Sequence, residues 1–143
     1  MTLSDLDSVL EIENASFHKP WEKDYFMQEL TNNEFANLIV ICLEKNNNEK
    51  IVGFADYWVT FDSATICQIA IDNSYRHQGL ASLLLKEIID DCSAKKVSTL
   101  TLEVRVSNGA AIALYNKFKF INIVTKPHYY ENGEDAFYMV KGI

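Results

Sequence analysis

Between residues 64 and 104 the hydrophobic period of the chain changes twice, and this constrains the fold more than any other feature. Residues 64–72 read as an apolar strand; from about Gln78 to Cys92, Leu80, Leu83, Leu84 and Ile88 recur at helical spacing. Residues 98–104 then alternate, with Leu100, Leu102 and Val104 on one side and Thr99, Thr101 and Glu103 on the other. Strand, helix and strand in that order place the chain among α/β folds.

The flanking segments extend this pattern. Ser4 followed three residues on by Asp7 resembles a capping box, and Leu6, Val9 and Leu10 continue it as a first helix that Pro20-Trp21 breaks. A second helix from about Glu22 to Leu30 puts Phe26 and Leu30 one turn apart on one face. Residues 36–44 and 51–60 are rich in β-branched and aromatic side chains, and Asn46-Asn47-Asn48 joins them as an antiparallel hairpin. Ser107-Asn108 is an N-cap signal for a helix through Ala110, Ala111, Ala113, Leu114 and Tyr115, ending near Lys119. Two last strands, 120–125 and 135–141, flank a loop holding Tyr129, Tyr130 and the Asn132-Gly133 turn signal. No linker, repeat or low-complexity stretch divides the 143 residues, so one domain spanning 1–143 with a mixed sheet is expected.

Composition narrows the function classes. Hydrophobic residues at 48% and charged residues at 23% are ordinary globular usage, enough for a core without staples. The longest apolar runs, such as Leu38 to Leu43, fall far short of the roughly 20 residues that cross a bilayer. Met1-Thr2-Leu3-Ser4-Asp5 carries acids where a secretory signal needs bases and an apolar stretch, so a cytoplasmic location is expected. A net charge of −7 argues against nucleic acid as partner and favours a basic one, although the same acidity serves solubility alone. Cys42, Cys67 and Cys92 form neither a CxxC pair nor a zinc-ligand cluster, so a reduced environment and no metal are expected.

Chemistry is most legible where Ile69-Ala70-Ile71-Asp72 ends a strand and Arg76-His77-Gln78-Gly79-Leu80-Ala81-Ser82 opens a helix. A helix start offers unpaired N–H groups and a partial positive charge, and glycine lets an anion approach the backbone. A pyrophosphate fits such a place. The segment is neither a Walker loop nor a GxGxxG turn, and a tight strand-to-helix turn also calls for glycine.

Arg76-x-x-Gly79-x-Ala81 after Ile69-Ala70-Ile71 resembles the acetyl-coenzyme A pyrophosphate loop of the GNAT superfamily of N-acetyltransferases. Leu102 to Asn108, Ala110 to Tyr115 and Phe120 are similar to its ribosomal-protein-alanine branch. So are Phe17 with Pro20-Trp21, and Tyr129-Tyr130 ahead of Glu134-Asp135-Ala136. The match runs from about Asp5 to Met139. It implies the GNAT fold, a single domain with a mixed, mostly antiparallel sheet flanked by helices, and acetyl-coenzyme A as co-substrate. Cofactor contacts are implied at Ile69, Ala70, Ile71, Arg76, His77, Gln78, Gly79, Leu80, Ala81, Ser82 and Asn108. The implied acceptor is a basic protein N-terminus, the N-terminal alanine of a small-subunit ribosomal protein, with neither nucleic acid nor membrane as partner. Three departures stand out. Ala81 replaces a frequent second glycine, His18-Lys19 precedes Pro20 where the branch is more apolar, and the family's short opening strand is truncated or missing.

Acyl transfer from a thioester to an amine calls for one base and one acid. Glu103, on the polar side of its strand, suits the base, and Tyr115, with an ordinary phenol pKa near 10, suits the acid. As plain structure, Glu103 is a solvated acid, Tyr115 a buried helix aromatic and Asn108 only a cap. Cys67 is the one thiol near the cofactor strand, but no histidine lies close to it in sequence. His18 and His128 are loop histidines, and Trp21, Tyr129 and Tyr130 either wall an acceptor channel or pack the sheet. Two rivals stay open: the same chemistry on another amine (a lysine, a polyamine, another N-terminus), and a non-catalytic acetyl-coenzyme A sensor.

Overall fold

The structure, a computed structural model, describes residues 1–143. The backbone N–H of Thr2 donates to the Asp5 carboxylate at 2.7 Å, so the helical start lies two residues earlier than the Ser4–Asp7 spacing predicts. A 3-10 turn (Leu3–Asp5) leads into α1 (Leu6–Ser16) and then α2 (Lys23–Thr31). The hairpin of β1 (Ala36–Lys45) and β2 (Asn48–Thr60) follows, then β3 (Ser63–Ile71), a 3-10 turn (Asn73–Tyr75) and α3 (Leu80–Ala94). The chain continues through β4 (Thr99–Arg105), α4 (Gly109–Lys117), β5 (Ile121–Lys126) and β6 (Ala136–Gly142). The strands form one mixed sheet in the order β1-β2-β3-β4-β6-β5, as the α/β reading requires. No helix is long and apolar enough to cross a membrane.

Two compact units divide these elements, Met1–Trp58 with Gln68–Ile88, and Val59–Cys67 with Ile89–Ile143. In the first unit, Asn46 and Asn47 sit at φ 53° and 62°, the left-handed pair that a two-residue hairpin turn needs. Leu6, Val9 and Ile12 of α1 and Phe26 of α2 pack with Leu38, Phe54 and Ala70 from the three strands. Phe26 meets Phe54 edge-on with centroids 5.8 Å apart. Leu80 and Leu84 of α3 pack with Val52 and Ile71. The buried stripe of α3 differs from the expected one: Leu83 is 56% exposed, and Leu85 is fully buried in its place. With Leu80, Leu84, Ile88 and Cys92 four residues apart on the core face, the next turn position that faces inward is 85. Gly53 is required by close approach, since a Cβ there would stand 2.9 Å from the Ala70 carbonyl and 2.5 Å from the Ile71 side chain.

In the second unit the first half of β3 runs parallel to β4, from Ser63↔Thr99 to Ile66↔Leu102. β4 pairs antiparallel with β6 over its whole length. β5 pairs with β6 through a bulge, the register shifting between Asn122 and Val124. Leu100, Leu102 and Val104 are buried with Phe120, Ala136 and Met139, as the alternation predicts. β5 is an edge strand whose Ile121, Ile123 and Val124 are exposed. Asn108 caps α4, its Oδ1 accepting the Ala111 N–H at 3.2 Å.

Candidate active site

In the first unit, β3 ends with Ala70 and Ile71 buried and Ile69 half-buried. The Asp72 N–H donates to the Val52 carbonyl at 2.8 Å, and its carboxylate accepts the Ser74 N–H at 2.8 Å, which shapes the turn. Arg76 is held back along the loop, Nε donating to the Ile71 carbonyl at 3.2 Å and Nη2 to Ser16 Oγ at 3.5 Å. His77 at φ 62° and Gly79 at φ 79° are both left-handed and swing the chain into α3. Arg76, His77, Gln78 and Gly79 are exposed, Ala81 and Ser82 half-buried, and Leu80 turns into the core. The helical ladder opens with the Leu83 N–H on the Gly79 carbonyl at 3.2 Å, so the N–H groups of Leu80, Ala81 and Ser82 precede it. No atom lies within 4 Å of where a Cβ on Gly79 would stand. An open glycine, leading N–H groups and a nearby guanidinium fit a pyrophosphate.

In the second unit, the polar side of β4 carries Glu103, whose Oε1 accepts from Lys126 Nζ at 2.7 Å. Lys126 also lies over the rings of Tyr138 at 4.8 Å and Tyr129 at 5.4 Å, and the Glu103 carboxylate holds its ammonium above the ordinary lysine range. Arg105 lies two residues on. Its Nη1 donates to Asn132 Oδ1 at 3.0 Å and Glu134 Oε1 at 3.1 Å, and its guanidinium stacks 4.0 Å over Tyr130. Glu134 Oε2 accepts the Ser107 N–H at 3.0 Å, and Ser107 holds that carboxyl below the usual range. The loop is fastened further where the His128 N–H donates to Asp135 at 3.0 Å. Tyr115 is 5% exposed and lies against Phe120 with centroids 5.7 Å apart. Burial, then Tyr130, raises its phenol well above the ordinary value, and burial pushes Tyr130 up to about 12. Both phenols are protonated at neutral pH and have a proton to give.

Asn108 is exposed and does cap its helix, and His18 and His128 are exposed loop residues. Trp21 packs with Tyr25 and Phe26, centroids 4.2 and 5.5 Å away, beside a cleft of about 390 Å³ that also involves Pro20 and Gln28. All three cysteines are free thiols. Cys67 Sγ lies 3.8 Å from its acceptor, the Thr65 carbonyl, and burial pushes the Cys92 thiol up to about 11.

Several residues escaped the sequence reading. Lys126, Arg105 and Glu134 are brought to their partners by the β4-β6-β5 pairing, which no local pattern specifies. In the first unit Glu13, Glu29, Asp56 and Gln68 are buried together with the apolar core. Of these, only Asp56 carries a signal, a lone acid among the apolar residues of a central strand.

The acetyltransferase (GNAT) family model matches residues 6–120. A Bacillus subtilis (strain 168) protein, provisionally named a ribosomal protein bS18-alanine N-acetyltransferase, is 42% identical over 140 residues, 97% of this chain and 90% of that protein. The Escherichia coli (strain K12) ribosomal protein bS18-alanine N-acetyltransferase is 36% identical over 139 residues, 95% of this chain and 90% of that one. The crystal structure of the ribosomal-protein-S18-alanine N-acetyltransferase from Escherichia coli superimposes with a TM-score of 0.87 at 36% identity, covering 100% of this chain and 90% of that chain. With the helix-opening loop and near full-length similarity in agreement, the chain belongs to the acetyltransferase (GNAT) family and is an acetyl-coenzyme A-dependent N-acetyltransferase.

Proposed function

We propose that residues 1–143 act as one cytoplasmic domain that acetylates the N-terminal alanine of a ribosomal protein of the bS18 kind. The observation that carries this reading is the near full-length similarity, at 36% to 42% identity, to proteins named for that activity. Arg76, His77, Gln78, Gly79, Leu80, Ala81 and Ser82 hold the pyrophosphate of acetyl-coenzyme A, with Asn108 as a further contact. The backbone of Ile69 to Ile71 pairs with the pantetheine amides, supported by the parallel register with β4, which ends at Ile66 and leaves those residues beyond it. The bound co-substrate supplies an acetyl group activated as a thioester. Glu103 takes the proton of the acceptor ammonium, directly or through water, once Lys126 yields its hydrogen bond. The protonated phenol of Tyr115 gives its proton to the departing sulfur and takes back the second proton that the attacking nitrogen sheds as the amide forms and the carbon–sulfur bond breaks. Transfer is direct: burial raises the thiols of Cys42 and Cys92, and Cys67 Sγ donates to a backbone carbonyl. Trp21, Tyr129 and Tyr130 wall the acceptor.

The test mixes the protein and acetyl-coenzyme A with short peptides, some starting Ala-Arg and some with blocked N-termini and free lysines. Thiol release and mass gain confined to the free Ala amine are expected. Gain on lysines would replace the acceptor, and no gain with any amine would leave a sensor.

A further inference from the structure

Three carboxyl groups lie buried in the first unit: Glu13 of α1, Glu29 of α2 and Asp56 of β2. Glu13 and Asp56 are wholly excluded from solvent. Glu13 Oε1 accepts from the Trp21 N–H and from Gln68 Nε2, both at 2.9 Å. Glu29 accepts from Asn33 Nδ2 at 3.0 Å and from the Trp58 indole at 2.6 Å. All these donors are neutral. Both oxygens of Asp56, with Glu13 Oε2 and Gln68 Oε1, are buried without a donor. Three buried anions held only by neutral donors are costly, and unfilled acceptors add to the cost. One proton on Asp56 removes a charge and supplies a donor.

The groups that act on Asp56 are the Glu29 carboxyl from α2 and the Glu13 carboxyl from α1. β3 adds the neutral Gln68, and β1 places the apolar Leu38 opposite. Burial first, then these two acids, raises Asp56 to about 8.

We propose that Asp56 is a positioning residue for the acceptor: it holds a proton at neutral pH, donates it to Glu29, and so keeps the cluster closed with Glu13 on the backbone of Trp21. The second half rests on the reading of Trp21 as an acceptor wall. Loss of the proton sets a negative charge against the buried carboxyls of Glu13 and Glu29, the groups that fasten Trp21 and Trp58, and loosens the α1–α2 turn.

The unfolded aspartate releases its proton near 3.8 and the folded one near 8, so between those values the folded state holds one proton more. Stability therefore falls as pH rises through that window and levels off above it, the unfolding constant growing about tenfold per pH unit from this group. Asp56→Asn donates permanently without titrating. Denaturant unfolding from about pH 5 to about pH 9 should give the wild type the steeper dependence by about that factor, up to about pH 8. Parallel curves would overturn the buried proton. Above about pH 8 the wild-type KM for an Ala-initiated peptide should rise several-fold relative to Asp56→Asn, with acetyl-coenzyme A affinity unmoved in both. Matching KM profiles would overturn the positioning role. If Asp56→Asn does not fold, the infrared carbonyl band of a protonated carboxyl in the wild type decides, and its absence at neutral pH would overturn the proposal. Should no peptide be acetylated, the acceptor reading falls while the unfolding curves still judge the proton.

Discussion

Glu103 is paired with Lys126 at 2.7 Å and Tyr115 stands protonated in the core; these are the proposed base and acid. Glu103→Gln keeps the shape without the acceptor, and Tyr115→Phe keeps the ring without the donor. Each should lower turnover by roughly 10²- to 10⁴-fold while acetyl-coenzyme A binding, read by calorimetry, survives. Raising the pH should partly rescue Glu103→Gln, because an α-amine with an ordinary pKa near 8 then sheds its proton unaided. It should not rescue Tyr115→Phe, and near-normal turnover by either variant at neutral pH would remove that residue from its role. Cys67→Ala should leave turnover unchanged in the same assay; a collapse would reopen a covalent route. Alternation along β4 was enough to turn Glu103 away from Leu102 and Val104. Lys126, 23 residues later, was not legible, because its place depends on two strand pairings and a bulge.

Among the elements, the turn between β3 and α3 concentrates the most consequence in the fewest residues. Gly79→Val forces a branched side chain to φ 79°, at a cost of roughly 1–2 kcal/mol, and fills the space beside the leading N–H groups. Calorimetry should show weakened acetyl-coenzyme A binding in a folded variant, and unchanged affinity would refute the pyrophosphate assignment. Asn108→Ala removes the cap of α4 and should cost about 1 kcal/mol of unfolding free energy in denaturant titration. A neutral result would mean that another group satisfies the Ala111 N–H. The sequence located these starts because glycine and asparagine act through their own backbone. It misjudged Leu83 against Leu85 because three consecutive leucines leave the facing of a helix to its neighbours, and it misplaced the first helix because Thr2 and Asp5 compete with Ser4 and Asp7 for the same motif.

For the molecule as a whole, a net charge of −7 should draw in a basic N-terminus. The KM for Ala-Arg peptides should therefore climb with ionic strength, and a salt-independent KM would favour a neutral acceptor. Global charge and pattern were legible because they need no contact map. The buried carboxyls were not, because Glu13, Glu29 and Asp56 look like surface acids until the helices are laid on the sheet. The sheet's outer edge invites another kind of trouble. Ile121, Ile123 and Val124 give β5 the look of a seed for fibres, a straight apolar rail on which a second molecule would add its own strand. The extra residue at the Asn122–Val124 shift bends that rail and breaks the repeat a newcomer must match. Deleting Ile123 would true the edge, and the damage would first show as cloudiness in concentrated stocks while each dispersed molecule still worked.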